Sequence, residues 1–311
     1  MLMLISFINF FILFLMVFLS VAFFTLMERK ILGYIQLRKG PNKFFIKGIF
    51  QPMGDGLKLF FKELNYPINL NFFFFLVSPL LGLLISIFFW FIYPFLGFNY
   101  IKKLGLIFMF GCSKLKVYIF MMISWSSNSN YSVWGMMRFI SQKISYEVKK
   151  KIFIKNLMFK IKNFNLNDFY IYQLNIKFFF FLFLKNFLLK MSFLAEMNPS
   201  PLEFPKGESE LVFGFNLEFS SLPFIFIFMP EYMSIMFMGL LLWKMFFGLM
   251  LSKFNLNLYI LMFMFLVIWL RGFLPRFRYD KLMYLVWKLI LPLSLFLFIV
   301  NFLVELLIMS Y

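Results

Sequence analysis

Eight stretches of this chain stay apolar for roughly 20 residues, the length a helix needs to cross the ~30 Å hydrocarbon core of a bilayer. They lie near 2–27, 70–96, 103–126, 132–157, 171–194, 219–250, 256–271 and 284–309. Backbone in lipid must satisfy its own hydrogen bonds, so such stretches are helices. The fold class that follows is all-α: a polytopic membrane protein with about eight transmembrane helices, in one integral domain over residues 1–311. The 63% hydrophobic content agrees, against about 45–50% in soluble domains. The first 27 residues continue apolar past signal-peptide length and read as a retained helix. The third and fourth stretches are broken by Lys114, Lys116 and Lys149 to Lys151, and counting from Ser132 puts the last three near the outer interface, where lysines snorkel. The sixth has 32 residues, about 48 Å as a helix, so it must tilt, project, or kink at Pro223 and Pro230.

The net charge of +18 comes from lysines and arginines that flank the apolar stretches, a membrane pattern and not a nucleic-acid-binding one. The segment 28–69 and the last loop, with Arg271, Arg276, Arg278 and Lys281, are the basic ones and belong inside. Within the first, residues 51–64 have helical period: Met53, Leu57, Phe60, Phe61 and Leu64 line one side, Asp55, Lys58 and Lys62 the other. This predicts an amphipathic helix on the inner membrane surface, with Asp55 between two glycines that allow close approach.

Against this lipid-like background, residues 196–231 hold six of the thirteen acidic residues: Glu196, Glu203, Glu208, Glu210, Glu218 and Glu231. An anion at the bilayer centre costs about 2.5–3.5 kcal/mol on insertion scales, so the six need water, protein or a proton. Pro199, Pro201, Pro205, Gly207 and Gly214 predict a broken loop over 196–218. Glu231 lies deeper, between apolar runs, beside a proline that frees the Phe226 carbonyl. Ion or proton movement is one reading; a solvated connection between two helices is the other.

The chain has no histidine and only Cys112, so haem ligation by histidine, an iron–sulfur cluster, a Cys/His zinc site and a Ser/His/Asp triad cannot be built from its residues. It has no metal site of these kinds, and redox chemistry would need a partner's cofactor. The six arginines, Arg29, Arg38, Arg138, Arg271, Arg276 and Arg278, all fall beside helix ends on the inner face, where ion pairs with the acidic loop are expected.

Four ordered stretches then resemble one family: ERKILGYIQLRKGPN (28–42), SNSNYSVWGMMRFISQKISYEV (127–148), GESELVFGFNLEF (207–219) and PRFRYDKLMYLVWK (275–288). They are similar to the quinone-site membrane subunit of respiratory complex I. The resemblance implies an eight-helix subunit of a proton-translocating NADH:ubiquinone reductase in the mitochondrial inner membrane, where membrane-arm and matrix-arm subunits meet. Ubiquinone is then the substrate, none of it covalently bound, and FMN and iron–sulfur clusters sit in partner subunits. It further implies a quinone chamber involving Glu28, Arg29, Arg38, Asp55, Glu203, Phe219, Arg276 and Arg278. Its proton path would run through Glu147, Glu196, Glu208, Glu210, Glu218 and Glu231. Pro199, Glu203 and Lys206 depart from the family pattern E-x-N-R, P-F-D and an acid before G-E-S-E.

In that setting Glu208 and Glu210 suit proton exchange, since two neighbouring carboxylates share a proton readily. Glu147 has Lys143 and Lys151 at i−4 and i+4, which favours a fixed charge, and its count from Ser132 sets it higher than a mid-membrane relay needs. An ion antiporter and a structural anchor for soluble redox subunits are the rival classes.

Overall fold

A computed structural model of the chain describes residues 2–44, 46–93, 103–173, 177–181, 183–197, 216, 218–248, 253–275 and 277–310. The described residues are helical, with no strand among them. Six helices are long and apolar enough to cross a membrane: Phe7–Ile35, Phe72–Ile92, Gly105–Ser126, Ser221–Phe247, Leu256–Phe273 and Tyr279–Leu307. The chain is therefore a multi-pass membrane protein.

Helix α1 (Leu2–Ile35) runs on past the apolar stretch that opens it, because ERKILGYI continues the helix without a breaker. It ends where Leu37 takes a positive φ and the Arg38 amide bonds back to the Gly33 carbonyl at 2.8 Å. A Cβ on Gly33 would meet the Gly40 nitrogen at 2.9 Å, so the return of the chain over α1 requires glycine there. Glu28 and Arg29 thus stand on a helix and not in a loop. The amphipathic helix forms as α2 (Gln51–Phe60), with Pro52 in its first turn and no fully buried residue. Its apolar side chains Met53, Leu57 and Phe60 are exposed, as a helix lying on a membrane surface needs.

The centre of the bundle is α9 (Ser221–Phe247). Its most apolar window is 67% buried, the largest share among the six spanning helices. It packs on α3 (Phe72–Phe89, continued by a 3₁₀ turn to Ile92), on α10 (Lys253–Phe273), and on α1 and α2. Pro223 falls in the first turn of α9, where its missing donor does no harm, and the helix passes through Pro230. α3 also packs closely on α4 (Gly105–Ser126), where a Cβ on Gly82 would touch Ile119 at 3.5 Å. Close backbone approach of this kind is how helices associate where lipid removes the hydrophobic drive.

α5 (Asn130–Ile161) is 32 residues long and ends at Lys162 with φ +59°. Glu147 stands near the middle of α5, which runs four residues past the far end of the apolar stretch. One expectation changes here. Lys149 and Lys150 are fully buried and do not snorkel to an interface: the Lys149 ammonium lies 5.1 Å from the Tyr146 ring centre and that of Lys150 6.0 Å from Phe193. α5 packs against α8 (Phe183–Met197) and α12 (Leu291–Ser310), and those neighbours bury the lysines.

The fifth predicted stretch holds α6 (Asp168–Tyr172), α7 (Phe178–Phe181) and α8. At the end of α6 polar Gln173 turns inward: its buried side-chain amide donates to the Met245 carbonyl at 2.7 Å and packs on Gly248, the left-handed end of α9. Towards the C-terminus α11 (Tyr279–Tyr284) passes through a π-helical turn, Leu285–Ile290, into α12. α12 lies at the edge, with Leu295, Phe296, Ile299, Leu303 and Leu307 exposed.

Candidate functional site

The C-terminal end of α1 is tied to three other helices. Glu28 accepts from Arg271 of α10 in a short ion pair, and its other oxygen accepts from the Tyr232 hydroxyl of α9 at 3.0 Å. One residue on, Arg29 pairs with Asp55 of α2 at 2.5 Å, and the Gln51 amide holds the second Asp55 oxygen at 3.0 Å. A pair of adjacent, opposite charges on α1 thus sets where α2, α9 and α10 converge. The arginine fork suits this role, since it can grip a carboxylate while part of it stays wet.

Among the described residues, Arg29 and Arg271 pair with carboxylates on helices, while most of the acidic loop expected to take arginines lies outside the described residues. Arg278 pairs with Asp280 two residues on, at 3.2 Å and well exposed. Its segment is docked by Tyr279, whose hydroxyl meets Ser141 of α5 at 2.5 Å. Arg38 is exposed on the turn after α1. Phe219 is 5% exposed and stacks on Phe75 with centroids 4.3 Å apart and planes within 6°, so it packs the start of α9 onto α3. Glu218, just before it, is half-buried. Glu203, Glu208, Glu210 and Arg276 lie outside the described residues, as does the side chain of Glu196, which falls in the last turn of α8.

A second cluster lies deeper. Glu147, 7% exposed, accepts from Ser113 of α4 at 2.8 Å and from the Lys151 ammonium, one turn along α5, at 2.5 Å. Beside it is a cavity of about 20 Å³, enough for a single water, lined by Ser113, Lys116, Lys143, Glu147 and Ser234. The Lys116 ammonium also reaches the Pro230 carbonyl of α9 at 3.4 Å. Glu231, half-buried, follows that proline directly, and its own carbonyl accepts from Ser234 at 2.7 Å. α4, α5 and α9 therefore share one polar pocket inside a bundle of apolar helices. Glu147 and Glu231 were legible from sequence; Ser113, Ser234, Tyr232 and the pairing role of Lys116 were not, since a lone serine or lysine in an apolar run carries no sign of its partner.

Fold and site together define a polytopic helical membrane protein with a charged junction at one end of the bundle and a buried carboxylate within it. A family model described as NADH dehydrogenase matches residues 8–302. NADH-ubiquinone oxidoreductase chain 1 of Anopheles gambiae is 47% identical over 276 residues, 89% of this chain and 88% of the relative. The proteins of the same name from Locusta migratoria and Branchiostoma lanceolatum are 45% and 39% identical, over 92% and 96% of this chain and 91% and 96% of their own lengths. The chain belongs to this NADH dehydrogenase chain 1 family.

Proposed function

We propose that the chain is the membrane subunit at the quinone site of respiratory complex I. On this reading it sits in the mitochondrial inner membrane with its basic loops towards the matrix, and other complex I subunits of both arms cover parts of it. It forms much of the ubiquinone chamber and links quinone reduction to proton translocation. The chamber lies at the inner ends of α1, α2, α9 and α10, with Glu28, Arg29, Arg38, Asp55, Glu203, Phe219, Arg276 and Arg278 around it. Phe219 acts from below, by stacking α9 on α3.

One observation carries the reading furthest: Glu147 is a buried carboxylate halfway along α5, packed among membrane-spanning helices, hydrogen-bonded and ion-paired, beside a water-sized cavity. Ionisable groups at such depth are rare and mark ion or proton paths. The chain contributes no redox centre, as it has no histidine and one cysteine. Electrons reach the quinone from iron–sulfur clusters and FMN of partner subunits. Negative charge arising in the chamber draws protons towards it, and carboxylates in line answer by taking or passing them. Glu147, Glu196, Glu208, Glu210, Glu218 and Glu231 form that line, and Lys116 brings the Glu147 pocket next to the Pro230–Glu231 step of α9.

The test is photolabelling of native membranes with a reactive ubiquinone analogue, followed by peptide mapping of this chain. Labels within 28–62 or 196–219, competed by quinone-site inhibitors, are expected. Labels confined to neighbouring subunits would refute the chamber assignment.

A further inference from the structure

At the opposite end of the bundle from the charged junction, α1, α3, α9 and α10 enclose a crevice of about 440 Å³. Its floor is apolar and buried, made by Leu13, Val17, Ile260 and Met264. Its mouth is flanked by Ile12, Met16 and Leu261, which are 50%, 62% and 49% exposed, so it opens sideways from the bundle. The rim is polar: the Tyr93 hydroxyl bonds to Asn257 at 3.0 Å, and Trp90 is 6% exposed with an indole N–H that has no acceptor among the described residues. A buried donor without a partner costs about 1–3 kcal/mol, so a ligand that supplies an acceptor there is favoured.

We infer that this crevice binds one acyl chain of a bilayer phospholipid, with the ester carbonyl at Trp90 and the hydrocarbon running along α1 towards Ser20. Tryptophan and tyrosine sit at headgroup level in membrane proteins, which places the rim where ester groups lie. The lining of α1 from Ile12 to Ser20 spans about 12 Å at 1.5 Å per residue. A single hydrocarbon chain laid along this length meets the apolar floor of Leu13, Val17, Ile260 and Met264 while its ester end reaches the rim. The rim lies about 24 Å from Glu28 along α1 and about 21 Å from Arg271 along α10, and the near end of the crevice, at Ser20 and Met264, stops about 12 Å and 10 Å short of them.

The experiment uses the intact enzyme complex in vesicles containing phosphatidylcholine with a diazirine midway along one acyl chain. After photolysis, label is expected on Leu13, Met16, Val17, Leu261 and Met264 at least fivefold above exposed Phe296 and Ile299 of α12, and unchanged by excess ubiquinone. Trp90→Phe keeps the ring but removes the N–H; it is expected to lower crevice labelling severalfold while the amount of assembled complex stays the same. Labelling no higher than at Phe296, no labelling because a neighbouring subunit covers the mouth, or displacement by ubiquinone would each overturn the inference.

Discussion

Replacing Arg271 by Met tests the junction that positions the chamber. Glu28 is held by two donors, Arg271 and the Tyr232 hydroxyl, and the two charged side chains are 13% and 31% exposed. Exposed pairs contribute about 0–1 kcal/mol, whereas breaking a buried pair costs about 3–5. The burial here lies between those cases, and Arg271→Met leaves a mostly hidden carboxylate with one hydroxyl, so a loss of about 2–3 kcal/mol is expected. Glu28→Gln removes the charge and keeps one oxygen for Arg271, while its NH2 can donate to the Tyr232 oxygen once that hydroxyl turns, and should cost about 1 kcal/mol. The double variant should be less damaged than the sum, with a coupling of about 1–2 kcal/mol, because the second change removes the stranded charge left by the first. The assay is the rate of thermal inactivation of quinone reductase activity in membranes carrying each variant. If the pair opens in the limiting step, 2 kcal/mol shortens the half-life about 30-fold at 1.4 kcal/mol per decade. Wild-type stability of Arg271→Met, or strict additivity in the double variant, would refute the reasoning.

Phe219→Ala removes a buried ring stacked on Phe75 and should cost about 3–5 kcal/mol, seen as reduced assembly of the complex on native gels; Phe219→Leu should recover most of it. Gly239→Ala places a methyl 2.7 Å from the Phe263 ring between α9 and α10, and overpacking of about 1–3 kcal/mol should appear as faster proteolysis of the loop joining them.

Periodicity and hydropathy located the helices well wherever apolar residues dominate. They failed where a charged segment continues a helix, because nothing in ERKILGYI breaks one, and α1 therefore carries Glu28 and Arg29 further than its apolar length suggested. They also gave no sign that Gln173 turns inward to the Met245 carbonyl; a glutamine in an apolar run does not announce a buried acceptor on another helix. Lys149 and Lys150 were expected at a water interface because the packing of neighbouring helices over α5 cannot be read from α5 alone. The site divides in the same way. Motifs picked out Glu28, Arg29, Asp55 and Glu147, yet their partners Arg271, Tyr232 and Ser113 are set by long-range packing across 243, 204 and 34 residues.

The central claim is that buried carboxylates of this chain carry the coupling between quinone chemistry and proton movement. Glu147→Gln tests it most directly: the amide still accepts from Ser113 but can neither hold a charge against Lys151 nor exchange a proton. Proton translocation and quinone reductase activity are measured together in vesicles containing the assembled variant complex, with Glu147→Asp as the charge-retaining control. Both activities should fall at least tenfold in Glu147→Gln and largely return in Glu147→Asp. Unchanged pumping and unchanged quinone reduction in fully assembled Glu147→Gln would contradict the account.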